Sequence, residues 1–267
     1  MNAPLEKDVI QYEVAANGVA TIWLNRPHKK NCVSPQLLKE MAIAVNKAEA
    51  DDKVRAVVFR GRGNTFCAGA DLAQTVGPVL QSSTESLALA VECARLFDQI
   101  HNLKKPTISA VEGYAVAGGF ELAISTDFLL ASSTAKIGDF HIRRSLFGGC
   151  GPIYRLPRIL GIRRSKELML TGKLLSGDEC AAWGLANASA TPEKFDQLIE
   201  DFCAPFLELS PFCLWMTKKA VNRGLDGDTE TLITLETMTC NVVHHSEDAK
   251  EGVKAFLEKR KAKFEGR

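Results

Sequence analysis

The order of apolar and polar positions outlines the chain before any motif does. Residues 9–14 and 19–24 are two short runs rich in β-branched and aromatic side chains, joined at Asn17-Gly18. That dipeptide is a strong hairpin signal, so two paired strands are predicted. Ser34-Pro35 has the form of a helix start, an N-cap followed by proline at the first helical position, and residues 37–50 carry apolar side chains at helical spacing. Residues 54–59 form a β-branched run of the kind found in buried strands, followed by a Gly-rich loop over 61–69. Residues 87–100 have helical spacing, and the weakly patterned 76–85 before them reads as a flexible connection. Residues 107–111, 128–131 and 135–138 are further strand candidates. After Gly161 the texture changes: 165–170, 176–183, 192–209, 211–222, 229–245 and 247–263 all read as helices. Strands alternating with helices and then helices alone predict an α/β core over 1–195 with a helical C-terminal region over 196–267.

Composition narrows the function classes. With 267 residues the chain can bury a large core without disulfide or metal staples. Lys+Arg number 33 against 32 Asp+Glu, so no chain-wide basic field exists to hold nucleic acid. No apolar run approaches the ~18 residues of a membrane span, and the first eight residues lack the apolar stretch of a secretory signal. The eight cysteines are dispersed and form no C-x-x-C, as expected of reduced thiols in a cytoplasmic protein. Gly61-Arg62-Gly63 opens like a dinucleotide fingerprint, but its third glycine is missing because position 66 is Phe. His244 and His245 are adjacent, so on a helix they diverge and make a poor metal pair; no metal site is predicted. A basic cluster, Arg143, Arg144, Arg155, Arg158, Arg163 and Arg164, reads as a solvated or intersubunit face, or else as an anion site.

Two loops carry the chemistry. One is Phe66-Cys67-Ala68-Gly69-Ala70-Asp71-Leu72, after the strand at 54–59. The other runs from Gly113 through Gly118-Gly119 to Ala123, after the strand at 107–111. Each sets small residues between a strand end and a helix start, where a ligand can approach the backbone closely and unpaired N–H groups favour negative charge. Two such loops side by side could form an oxyanion hole, in which one donor is typically worth ~100- to 1000-fold in rate. Glu121 lies three residues beyond Gly118, on the same helical face and among apolar neighbours. A carboxylate there is equipped to move a proton at a carbon beside a thioester carbonyl, although a carboxylate early in a helix can also serve only the helix dipole.

These two loops, together with Leu24-Asn25-Arg26-Pro27, Leu170-Thr171-Gly172, Ala182-Trp183-Gly184-Leu185 and residues 256–261, resemble the crotonase (enoyl-CoA hydratase/isomerase) family in order and spacing. The resemblance spans nearly the whole chain. It implies an α/β fold, a spiral of ββα units with a C-terminal helical trimerisation region, assembled as a homotrimer or as a hexamer of two trimers. It implies an acyl-CoA substrate and no cofactor beyond the coenzyme A that the substrate carries. The thioester oxygen would be held by the N–H groups of Ala68 and Gly118. The nucleotide end of coenzyme A would lie near Lys29, Lys30 and the Ala70-Asp71-Leu72 backbone, with Phe256 and Lys259 supplied by a neighbouring subunit.

One departure from the family pattern matters most. Hydratases of the family carry a second glutamate in a segment read as F-G-x-P-E; here the stretch is Ile137-Gly138-Asp139-Phe140-His141, and counting from Gly138 puts His141 at that glutamate's place. An imidazole titrates near neutral pH and can act as acid or base. Asp139, two residues away, would face the same side in an extended segment and could orient it. Glu121 and His141 as acid–base residues suit water addition across an α,β-unsaturated thioester. Glu121 acting alone would suit a double-bond isomerase. The same loops would also serve C–C or thioester hydrolysis, or a non-catalytic acyl-CoA-binding scaffold. Ala117 replaces the first of three glycines common in the family, and Cys67 reads as a small buried hydrophobe rather than a nucleophile.

Overall fold

The computed structural model describes residues 6–267. β1 (Ile10–Val14) and β2 (Val19–Leu24) form the predicted antiparallel hairpin, with Gly18 at φ 90° in its turn. α1 (Pro35–Ala50) starts where Ser34 accepts the Leu37 N–H at 3.2 Å. β3 (Ala56–Gly61), the one-turn α2 (Gly77–Val79), α3 (Ser83–His101), β4 (Thr107–Val111), β5 (Tyr114–Val116) and α4 (Gly118–Ala123) follow. Next come β6 (Phe128–Ser132), β7 (Lys136–Gly138), α5 (Pro152–Thr171), α6 (Gly177–Trp183), β8 (Ala188–Ala190) and α7 (Phe195–Glu208). The chain closes with α8 (Pro211–Arg223), α9 (Thr229–His244) and α10 (Glu247–Leu257). The main sheet has the order β1-β2-β3-β4-β6-β8, and every pairing after the first is parallel. β5 and β7 pair in parallel as a separate small sheet.

Period two sorts the side chains of β3 between two cores. Val57 and Phe59 point into a cluster with Leu37, Leu38 and Met41 of α1 and Phe97 and Ile100 of α3. Ala56 and Val58 point the other way, with Ile108, Ala110 and Leu130, onto Phe195, Ile199 and Cys203 of α7. A sheet covered on both faces needs apolar residues at successive positions, which explains the unbroken run of β3. α7 therefore belongs to the covering layer of the sheet, and the helices beyond it are α8–α10. Lys218 of α8 is fastened to Asp127 at 2.7 Å, with the two side chains only 11% and 12% exposed.

The structure departs from the sequence expectations at several places. Residues 76–85 are not a flexible connection: a π-turn (Leu72–Val76) and α2 lead to Ser82, which caps α3 by accepting the Glu85 N–H at 3.2 Å. The local cap outweighs a weak apolar pattern. α5 begins at Pro152, earlier than expected, and is kinked at Gly161 (φ 73°, ψ 162°). β5 and β8 escape a reading of the pattern: β5 lies inside the glycine-rich loop at 113–123, and β8 is Ala-Ser-Ala, with no β-branched or aromatic residue to mark a strand. α10 stops at Leu257 rather than at 263. Among the described residues no helix is long and apolar enough to cross a membrane.

Candidate active site

The parallel strands deliver two loops to one place. Beyond β3, Cys67 pairs with Ala115 of β5: its N–H donates to the Tyr114 carbonyl at 2.8 Å and its carbonyl accepts the Val116 N–H at 3.1 Å. Gly119 permits this closeness, since a Cβ there would lie 2.2 Å from the Cys67 oxygen. Ala117, at φ 50° and ψ −122°, turns the chain from β5 into α4. That is a costly conformation for a residue with a Cβ, of order 1 kcal/mol or more. It leaves Gly118 as the first residue of α4, with an N–H that no helical carbonyl can accept.

Ala68 is not the second free donor. Its N–H is spent on the Lys30 carbonyl at 3.0 Å. The neighbouring bridge explains which amide stays open. Gly69 O accepts the Val33 N–H and the Asp71 N–H donates to Val33 O, both at 2.8 Å, so the Ala70 N–H between them points to the opposite side. Among the described residues the Ala70 N–H has no acceptor. A methyl placed on Gly118 would sit 3.6 Å from Ala70 N and 3.9 Å from Glu121 Oε2. The Ala70 amide, Gly118 and one oxygen of Glu121 thus border a single crevice.

Glu121 is only 4% exposed. Its other oxygen, Oε1, accepts the Cys150 main-chain N–H at 2.9 Å. Burial pushes this carboxyl above the usual range, against the opposing pull of His141 and of the Cys150 and Gly149 amides. His141 opens a 3-10 turn (His141–Arg144), so the segment is not extended as expected. Asp139 nevertheless reaches it: Oδ1 lies 2.6 Å from His141 Nδ1 and accepts the His141 main-chain N–H at 3.2 Å. Burial works against a charged imidazole, but the Asp139 hydrogen bond and the charges of Glu121 and Asp139 outweigh it and leave the His141 pKa raised. A methyl on Gly148 would lie 2.8 Å from Glu121 Oε1 and 2.9 Å from His141 Nδ1, so the two groups flank one point.

The remaining predicted residues divide. Lys29 and Lys30 are exposed in the turn whose carbonyl holds Ala68. Asp71 is structural: its amide goes to Val33, and its carboxylate caps the Ala73 and Gln74 N–H groups and pairs with Arg26 at 3.1 Å. Arg26 is fully buried and also binds Glu6 and the Cys32 carbonyl. Leu72 is exposed. Phe256 is 82% exposed at the end of α10, and Lys259 follows it. Among the described residues neither hydrogen-bonds Glu121 or His141. The Cys67 thiol is fully buried and pushed up to about 12, as its reading as a hydrophobe requires. The basic cluster does not converge: Arg158 pairs with Asp226, Arg164 donates to the Trp183 carbonyl, and Arg155 is buried. Sequence reasoning puts the Ala70 backbone at the nucleotide end of coenzyme A rather than beside Gly118, and it does not single out Gly148 or Cys150; the alternation of N–H directions along 67–71 is the signal for the first.

The chain matches a family model described as enoyl-CoA hydratase/isomerase over residues 14–267. It is 31% identical to a short-chain-enoyl-CoA hydratase of Clostridium acetobutylicum, over 91% of this chain and 92% of that one. It is 33% identical to a crotonyl-CoA hydratase of Syntrophomonas wolfei, over 92% and 94%. The crystal structure of an enoyl-CoA hydratase from Bacillus anthracis superposes with a TM-score of 0.91 at 28% identity, covering 97% of this chain and all of that one. With parallel strands, covering helices and a loop pair of this geometry, the chain belongs to the enoyl-CoA hydratase/isomerase family, the crotonase superfamily, and is an enzyme.

Proposed function

We propose that the protein is an acyl-CoA hydratase-type lyase that adds water across the double bond of an α,β-unsaturated thioester. The observation that carries this reading is the placement of Glu121: one carboxylate oxygen borders the crevice at Ala70 and Gly118, and the other borders the point shared with His141. The thioester oxygen accepts the N–H groups of Ala70 and Gly118, which stabilise the enolate as it forms. His141, whose Nδ1 is held by Asp139, takes a proton from water at Nε2 as the water oxygen bonds the β-carbon. Glu121, whose burial favours its protonated form, delivers a proton to the α-carbon. In the reverse direction the two exchange roles. No cofactor enters beyond the coenzyme A of the substrate, and the exposed Lys29 and Lys30 would meet its nucleotide end.

The same reading includes self-association as a homotrimer or a hexamer. Among the described residues α9 buries none of its own, and Ile233, Met238 and Val242 lie uncovered, as do Phe256 and Leu257 after them. Apolar faces of that extent mark an interaction surface.

Glu121→Gln keeps an oxygen for the Cys150 amide and removes the exchangeable proton. Turnover should fall at least ~100-fold while acyl-CoA binding stays measurable by calorimetry; full activity would refute the mechanism. A panel of enoyl-CoA esters, with products weighed by mass spectrometry, separates the reactions. Gain of one water is expected. Unchanged mass with a moved double bond would mean isomerisation, released coenzyme A thioester hydrolysis, and a cleaved acyl chain or opened ring C–C hydrolysis.

A further inference from the structure

We propose that Gly148 is a positioning residue for this chemistry: the absence of a side chain there lets Glu121 and an imidazole at position 141 border one point. The inference rests on the reading that these two groups work as a pair. Gly148 is buried, between exposed Phe147 and Gly149. Its backbone lies outside the left-handed region, so conformation alone does not require glycine. What forbids a Cβ is its surroundings. The three nearest atoms would be Glu121 Oε1 at 2.8 Å, His141 Nδ1 at 2.9 Å and His141 Cε1 at 3.0 Å, all side-chain atoms of the proposed acid–base pair.

Neither neighbour can swing away freely. Glu121 Oε1 is tied to the Cys150 N–H at 2.9 Å, two residues from Gly148. His141 Nδ1 is tied to Asp139 at 2.6 Å, and Asp139 is itself 3% exposed. A methyl at 148 must therefore break one of these two anchors or drive the ring and the carboxylate apart. By contrast a Cβ on the adjacent Gly149 meets nothing closer than Ala90 Cβ at 3.8 Å. The steric constraint is confined to the one position that touches both groups.

The test is Gly148→Ala, alone and combined with His141→Ala. In the otherwise intact enzyme kcat should fall by about 100-fold, as displacements of about 1 Å do, with KM for the enoyl-CoA ester changing much less. The limb of the pH–rate profile that reports His141 should move to lower pH, because separation from Asp139 and Glu121 removes what raises its pKa. A merely structural role would lower the melting temperature and leave that limb in place. In the His141→Ala background the ring is gone, and the same methyl should cost about ten-fold or less. Equal losses in both backgrounds, or an unmoved limb, would overturn the proposal. If only the single variant fails to fold while the double variant folds, the clash with the ring is confirmed; failure of both would show that the ring has no part in the clash and sink a proposal that needs both groups at the point. Retained turnover in Glu121→Gln would instead defeat the underlying hydratase reading and leave the steric result standing.

Discussion

Asp139 grips His141 twice, through the ring nitrogen at 2.6 Å and through the main-chain N–H at 3.2 Å. The carboxylate thus fixes where the imidazole points and raises its pKa. Asp139→Asn removes the charge and should shift the imidazole limb of the pH–rate profile to lower pH. Stability follows with a defined sign. A raised folded-state pKa contributes stability that is present below the unfolded value, about 6.5, and is lost as pH rises through the folded value. The urea-midpoint gap between the native protein and Asp139→Asn should therefore narrow as pH increases. A gap that widens would contradict the assignment.

Gly118→Ala puts a methyl into the crevice itself. Its nearest contacts, Ala70 N at 3.6 Å, Gly69 C at 3.8 Å and Glu121 Oε2 at 3.9 Å, are ordinary van der Waals distances, so the fold should tolerate it. The space next to the two free amides is then filled. Turnover should drop by roughly 100-fold, the order of losing one oxyanion donor, with a melting temperature within a few degrees of the parent. A stable variant that still turns over at the parental rate would show that the thioester sits elsewhere.

The Cys67 thiol, fully buried and pushed up to about 12, should be inert. Alkylation by iodoacetamide at pH 8, mapped by peptide mass spectrometry, should label exposed Cys213 and spare Cys67 in the folded protein. Cys67→Ala should keep kcat within a few-fold. Rapid labelling of Cys67 coupled to loss of turnover would reopen a nucleophilic role.

Lys218 and Asp127 join α8 to the sheet in a place that penalises both charges: burial raises the Asp127 pKa and lowers that of Lys218. Lys218→Met leaves the carboxylate buried without its cation and should cost about 3–5 kcal/mol, read by chemical denaturation. The double variant Lys218→Met with Asp127→Asn should recover part of that loss. A single variant as stable as the parent would mean the pair is dispensable.

Much of the fold and site is legible in the chain because the signals are local. Asn17-Gly18 marks its own turn, Ser34-Pro35 its own helix start, and Glu121 sits three residues past the glycine it works beside. Ala68 misleads for a physical reason. Whether an amide is free depends on its partner, and the partners here are Lys30 and Val33, which come from another turn of the chain. Sequence shows the small residues of the loop but not which carbonyl lies across from each. Position 141 is readable as a departure from a family pattern, whereas Gly148 is not, since the contacts that exclude a side chain come from two different elements. The strands β5 and β8 do not declare themselves, one lying within a glycine-rich loop and the other being Ala-Ser-Ala, yet β5 aligns Cys67 and so aims Ala70.

The buried guanidinium of Arg26 ties the end of the hairpin to Asp71, whose own amide bridge leaves Ala70 facing the crevice. A lesion at Arg26 would thus masquerade as an enzymatic defect: the reaction would slow because the loop bearing an open amide loses its tether, with every group that handles protons still intact.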